Sequence, residues 1–314
     1  MDIALNEGHK LALGISSCSE VCKAAVDKSH PCHKVVNWQA KQWEPEVKNV
    51  FDSEMHRPEA WTGDLLNAPI IFLSSNPSFD KLENFPSWKL DSWNDEEVSR
   101  FGAERFTTSK SRGFGATESL VESEKDRTIG LSGDVSKQVN HWKWVRQFAA
   151  MVYGKSVSET SAISDYVMTE LVHCKSPHEE GVVEALSKCT QEWFGQIMGN
   201  SPAKLIFVAG VKSGKDFASQ FSSQIPPTWG SWASNNQESG QGNWPKTKSQ
   251  LDELVSSGKW DLNHQMLNSA DVEIGGVTRT AIYIARPGGG GLCAPWEHEQ
   301  LIHPELIKYW RSKI

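Results

Sequence analysis

Five cysteines carry the most distinctive chemistry in the sequence. Cys18, Cys22 and Cys32 stand as Cys-x3-Cys-x9-Cys ahead of the first apolar run, and Cys174 and Cys189 lie fifteen residues apart in the middle of the chain. A sixth, Cys293, sits beside a glycine run and is not read as a ligand. Six cysteines in 314 residues are too sparse for a disulfide scaffold, and in a reducing compartment they read as thiols or metal ligands. A zinc site that includes His33 and a set of free buried thiols are both open on the residues alone. The other chemistry-bearing segments follow apolar runs: Ser74-Ser75-Asn76-Pro77-Ser78-Phe79, Glu170-Leu171-Val172-His173-Cys174, and Arg286-Pro287-Gly288-Gly289-Gly290-Gly291-Leu292. Polar loops at the carboxyl ends of parallel strands are where α/β proteins place ligands.

The elements that must position these residues can be read from periodicity. Ile70–Leu73, Tyr166–Val172, Leu205–Ala209 and Ala281–Ala285 are short, nearly continuous apolar runs, the pattern of strands buried on both faces. Helical patterns cover Trp142–Tyr153, Glu180–Met198 and Glu305–Arg311. Strands alternating with helices predict a three-layer α/β/α core around a central four-stranded, mainly parallel sheet. The whole chain, 1–314, reads as one domain with an N-terminal arm, 1–60, and two long insertions, 79–140 and 221–278. Insertions of that length are functional lids or binding loops as a rule. Gly210-Val211-Lys212-Ser213-Gly214-Lys215-Asp216 resembles a phosphate loop but has three residues between its glycines, and Asp216 after the lysine. The phosphate loop needs four residues and then Ser or Thr. A glycine turn leading into a helix is the better reading.

Hydrophobic residues make up 38% and charged residues 23% of the chain, an ordinary soluble composition. No apolar run approaches the roughly 18 residues that span a bilayer. The N-terminus lacks a basic region followed by a long apolar one, so the chain is expected in the cytoplasm, away from membranes and with no obligatory protein partner. A net charge of −7 excludes a wholly basic surface but leaves room for a local basic groove. Arg100, Arg105, Lys110 and Arg112 alternate with Phe101, Phe106 and Phe114, which suits nucleic acid, although Asp95, Glu96, Glu97 and Glu104 dilute the pattern. Trp88, Trp93, Trp229, Trp232 and Trp244 lie in polar stretches. They read either as stacking platforms or as pins holding loops to the core.

The order of these segments resembles the uracil-DNA glycosylase superfamily over about 65–80, 140–217 and 279–313. Ser75-Asn76-Pro77-Ser78 is similar to the first motif of the mismatch-specific and single-strand-selective branches. Thr169 to Cys189 is similar to the iron–sulfur branch, and Arg286-Pro287-Gly288 falls where the superfamily carries His-Pro-Ser. The resemblance implies DNA as partner, a base flipped out of the stack, and cleavage of its N-glycosidic bond. It implies that Asn76 holds the attacking water, that Ser78 and Phe79 meet the base, and that Gly288, Gly289 and Gly290 approach phosphates while Leu292 wedges into the stack. Arg105 and Arg112 would add contacts to DNA. It also implies a [4Fe–4S] cluster on four of Cys18, Cys22, Cys32, Cys174 and Cys189, with zinc as the rival.

Two positions depart from the family. Arg286 replaces the histidine and offers a fixed positive charge rather than a proton. Glu170 replaces the base-reading asparagine. An ionised carboxylate only accepts, which suits an exocyclic amino group such as cytosine N4 and not the carbonyl of uracil. With the tryptophan-rich insertions, the expectation is a bulky cytosine derivative, such as glucosylated hydroxymethylcytosine in phage DNA, as some superfamily members serve phage defence. Repair of uracil or another deaminated base, and a catalytically silent DNA-binding homologue, are the alternatives. An α/β hydrolase ranks below them, because no Gly-x-Ser-x-Gly elbow stands at a strand end.

Overall fold

The computed structural model of the chain describes residues 6–42, 53–77, 79, 85–89, 93–104, 119–123, 127–130, 140–160, 164–227, 229, 253, 256–258, 262–266, 268–284 and 302–314. Helices and strands mix throughout, as expected for an α/β chain. Six strands run in the order β1-β5-β2-β6-β8-β7 and a separate hairpin is formed by β3 and β4. The strands are β1 (Thr62–Gly63), β2 (Ile70–Ser74), β3 (Ser119–Ser123), β4 (Arg127–Gly130), β5 (Val167–Glu170), β6 (Leu205–Ala209), β7 (Ser269–Ile274) and β8 (Val277–Ile284). The sheet is therefore six-stranded and mixed: β5, β2, β6 and β8 are the four strands expected, and β1 and β7 add antiparallel edges that were not. β1 has two residues and no periodicity to read. β7 alternates buried Ala270, Val272 and Ile274 with polar neighbours, so it is not an apolar run.

The chain divides into two compact units. One gathers the described residues of Pro69–Ser74, Val139–Ser161 and Ala203–Ile314. Here β2 pairs in parallel with β6, Phe72 opposite Phe207, and β6 pairs in parallel with β8. Helix α5 (Asn140–Tyr153) and the C-terminal helix Pro304–Arg311 lie on one side, where Phe148 and Trp310 both meet the ring of Phe207. Helix α8 (Val211–Gln220) follows β6 through Gly210, and a Cβ at Gly214 would collide with the ring of Tyr283 on β8. The glycines of the failed phosphate loop thus serve a turn and a close helix–sheet approach. β7 turns into β8 at Gly275-Gly276, both at positive φ, as a two-residue hairpin loop demands.

The other unit gathers the described residues of Met1–Ala68, Ser75–Gln138 and Ala162–Pro202. Helix α1 (Glu7–Ser16) is capped by Asn6, whose side chain accepts from the His9 N–H at 2.8 Å. It packs on α4 (Asp95–Glu104), where Gly102 lets the helices approach at Ala12. Helices α2 (Ser19–Val26), α3 (His33–Ala40) and α6 (Val182–Cys189) share an apolar cluster. Val21, Ala24, Val35, Val36, Val172, Val182 and Ala185 form it, and Cys18, Cys22, Cys174 and Cys189 pack on its border. Burying each Val or Leu side chain there contributes about 1.5–3 kcal/mol.

Gly181, before α6, sits at φ +76° with its Cα against the backbone of Val35. A Cβ there meets both a left-handed backbone and a main-chain wall. Gly181→Ala is expected to cost about 2–3 kcal/mol in urea unfolding, pushing apart the two helices that each carry a cysteine.

Three tryptophans of the polar stretches are pins. Trp88, Trp93 and Trp229 are 2%, 9% and 3% exposed. Trp232 and Trp244 lie outside the described residues. Phe101 is also buried, edge-on to Phe85 and Trp93, and Arg100 faces Glu96 at 3.2 Å. Phe101 thereby leaves the predicted aromatic–basic groove, whereas the Arg100 side chain stays 37% exposed. Phe101 belongs to the core because α4 turns its apolar stripe inward. Among the described residues no helix is long and apolar enough to cross a membrane.

Candidate metal centre and strand-end loops

Four cysteines line one pocket: Cys18, Cys32, Cys174 and Cys189. Cys18 and Cys32 immediately precede α2 and α3, Cys174 follows β5, and Cys189 ends α6. They lie close enough to influence one another electrostatically: Cys174 feels Cys189, Cys32 and Cys18, and Cys189 feels Cys18 and Cys32. Cys22 lies one turn into α2, does not line the pocket, and is influenced instead by Cys18 and Arg57. His33 is not among the lining residues either; its Nδ1 is 2.7 Å from the Ala24 carbonyl oxygen.

Burial dominates the acidity of these thiols. It pushes Cys32 up to about 11, Cys189 up to about 12, and Cys174 well above the ordinary thiol range. Cys18 is raised less directly, because the Glu20 N–H and the Trp193 side chain, an indole N–H donor, both reach its sulfur. A desolvated thiol ionises only where positive charge is supplied to it. The four sulfurs share one pocket, lined also by Glu20, Lys188 and Glu192, and are the residues there that could serve as thiolate ligands. Among the described residues no group of three or more His, Cys, Asp or Glu side chains is gathered tightly enough for a single metal ion.

Directly after Cys189 the helix widens into a π segment, Thr190–Phe194. Such segments add a residue to a turn and occur at functional sites. Here the segment carries Trp193 across Gly14, whose added Cβ would stand 3.4 Å from the ring, toward Cys18.

The pocket is tied to the strand-end loops by 172–176. The Val172 N–H donates to Ser75 O at 2.9 Å, and the Ser176 N–H to Pro77 O at 3.2 Å. Asn76 Nδ2 donates to Pro77 O at 2.9 Å, to Ser176 O at 3.0 Å and to Ser176 Oγ at 3.1 Å. Both amide hydrogens of Asn76 are thus directed at Pro77 and Ser176, and Oδ1 has no hydrogen bond among the described residues. Burial pushes His173 down to about 4, so its ring is neutral at pH 7 and Nδ1 donates to Glu59 O at 2.7 Å.

Phe79 is half-buried, edge-on to Trp38 with centroids 5.3 Å apart and tilted against His56. Glu170, also half-buried, closes β5. Ser78, Arg105, Arg112, Arg286, Gly288, Gly289, Gly290 and Leu292 lie outside the described residues. Sequence reasoning missed Glu59, Lys175 and Trp193. Lys175 had one signal, its place between Cys174 and Ser176; Glu59 had none, because its role depends on a partner far along the chain.

No family model matches the chain, and no curated protein does.

Proposed function

We propose that the chain is a DNA glycosylase that hydrolyses the N-glycosidic bond of a flipped-out base, a cytosine derivative such as glucosylated hydroxymethylcytosine of phage DNA, and that Cys18, Cys32, Cys174 and Cys189 hold a [4Fe–4S] cluster. One observation carries the reading: four sulfurs from an N-terminal arm and a strand end converge on one pocket, and the segment bearing one of them also holds Asn76. Four thiolates are the ligand set of such a cluster. When bound, the cluster supplies a rigid tie between the arm and the 172–176 segment.

The chain's own residues account for the chemistry. Asn76 Oδ1 accepts a hydrogen bond from water and aims its oxygen at the anomeric carbon. The C–N bond breaks as the C–O bond forms, the base departs with the bonding pair, and the water proton passes to it. Glu170 accepts from the exocyclic amino group and selects against a carbonyl there. Phe79 stacks on the extruded ring. Arg286 offers positive charge to the departing anion.

The test is abasic-site formation on four DNAs: unmodified, uracil-containing, hydroxymethylcytosine and glucosylated hydroxymethylcytosine. Release from a modified cytosine is expected. Release from uracil alone would move the chain to repair, and silence on all four would overturn the activity.

Trp193 gives an independent check on the cluster. Trp193→Phe keeps a ring over Gly14 and removes the indole N–H from Cys18. Hydrogen bonds to ligand sulfurs raise the reduction potential. The variant is expected to lower it by tens of millivolts in a spectroelectrochemical titration.

A further inference from the structure

We propose that the buried pair of Lys175 and Glu59 positions Asn76, holding the 172–176 segment in register with the 75–77 loop; this rests on the glycosylase reading above.

Lys175 is 2% exposed, with its ammonium 2.8 Å from Glu59 Oε2 and 3.9 Å from the centroid of the Phe85 ring. A buried ion pair contributes little stability compared with apolar side chains of the same size. Its geometry is what it adds, and that geometry converges on one short segment. The Glu59 N–H donates to His173 O at 2.9 Å and Glu59 O accepts from His173 Nδ1. Its carboxylate takes the Lys175 ammonium through Oε2 and the Thr62 hydroxyl, at 3.3 Å, through Oε1. Residues 173 and 175 are thereby fixed from one side. Ser176, the next residue, holds Asn76 through its carbonyl and hydroxyl oxygens. A shift of 175 moves 176, and with it the two Ser176 oxygens that hold the Asn76 amide alongside the oxygen of its neighbour Pro77. Lys175 and Glu59 touch no substrate on this account; they act through Ser176 and Asn76.

The test uses the full chain as isolated, with the visible absorbance that the proposed cluster would give it. Glu59→Leu/Lys175→Met replaces the pair by apolar side chains, which such pairs tolerate in stability. Expected are a retained chromophore and melting temperature, amide exchange at Val172 and Ser176 at least tenfold faster, and single-turnover base release at least tenfold slower with KM unchanged. Combined with Asn76→Ala, the double replacement is expected to cause no further loss, since residues acting as one unit are not additive. Should the double variant not fold, Glu59→Gln, which keeps the shape and removes the charge, is read by the same two measurements. Native exchange and native rate in the folded variant would overturn the proposal, as would a full additional loss on top of Asn76→Ala. If the unmodified protein releases no base, the glycosylase reading falls, while the exchange measurement still decides whether the pair holds the segment that carries Asn76.

Discussion

Asn76→Ala is expected to slow base release by about 10²–10⁴-fold, the range contributed by a positioned acid–base group. Substrate binding should change little, because the side chain meets water rather than the bulk of the DNA. The fold should survive. Removing Asn76 Nδ2 takes one donor from the oxygens of Pro77 and Ser176, a cost of about 1 kcal/mol for a half-buried site. The aspartate variant separates this reading from a simple need for a hydrogen-bond acceptor. Asn76→Asp keeps Oδ1 but turns the donor into a second oxygen facing two carbonyls. That repulsion would rotate the group or raise its pKa, so Asp is expected to fail to rescue. Single-turnover kinetics on the released base, with Tm measured alongside, distinguishes the outcomes. An Asn76→Asp variant with native activity would mean that the contacts to Ser176 do not orient the side chain.

Much of this arrangement was legible as sequence because it rests on local pattern. Runs such as Ile70–Leu73 and Leu205–Ala209 are apolar on both faces wherever they are placed, and they are strands. The helix after Gly210 was legible for the same reason: a glycine with φ +97° ends a strand and releases the chain into α8. The edges of the sheet were not. β1 exists only because Thr62 and Gly63 find Met168 and Val167 across a long loop, and nothing in two residues encodes that partner. The tryptophans stayed open between stacking and pinning because composition cannot say which way a ring turns; Trp229 donates its indole N–H to the Ala281 carbonyl oxygen inside the fold. Among the cysteines, spacing left five candidates for four places. The distinction lies in helix geometry. Cys18 and Cys32 stand at helix starts, where the chain bends into the pocket, whereas Cys22 sits one turn inside α2.

That distinction sets the second large effect. If the proposed cluster is present, alanine at Cys18, Cys32, Cys174 or Cys189 is expected to abolish the visible absorbance it gives and to destabilise the protein, whereas Cys22→Ala should keep the absorbance and the stability. The size of the loss follows from chain entropy. A metal group joining the N-terminal arm to Cys174 and Cys189 closes loops well over a hundred residues long, and cross-links of that span stabilise by about 4–5 kcal/mol in the chain-entropy model. Binding free energy of such a group is also folding free energy, since the unfolded chain presents no assembled site. Desolvation adds to the asymmetry. With the metal group bound, four buried sulfurs are thiolates balanced by its charge. With one ligand gone, the remaining three revert to neutral thiols in a pocket whose burial already pushes Cys189 to about 12, and α2 and α3 are then held to α6 by their shared apolar contacts and by the part-exposed Lys188–Glu20 and Lys34–Glu184 ion pairs. Iron and sulfide analysis beside the absorbance spectrum separates the cases: about four irons per chain supports the assigned ligands, one zinc supports a mononuclear site, and bleaching by Cys22→Ala with retention in Cys18→Ala would reassign the N-terminal ligand.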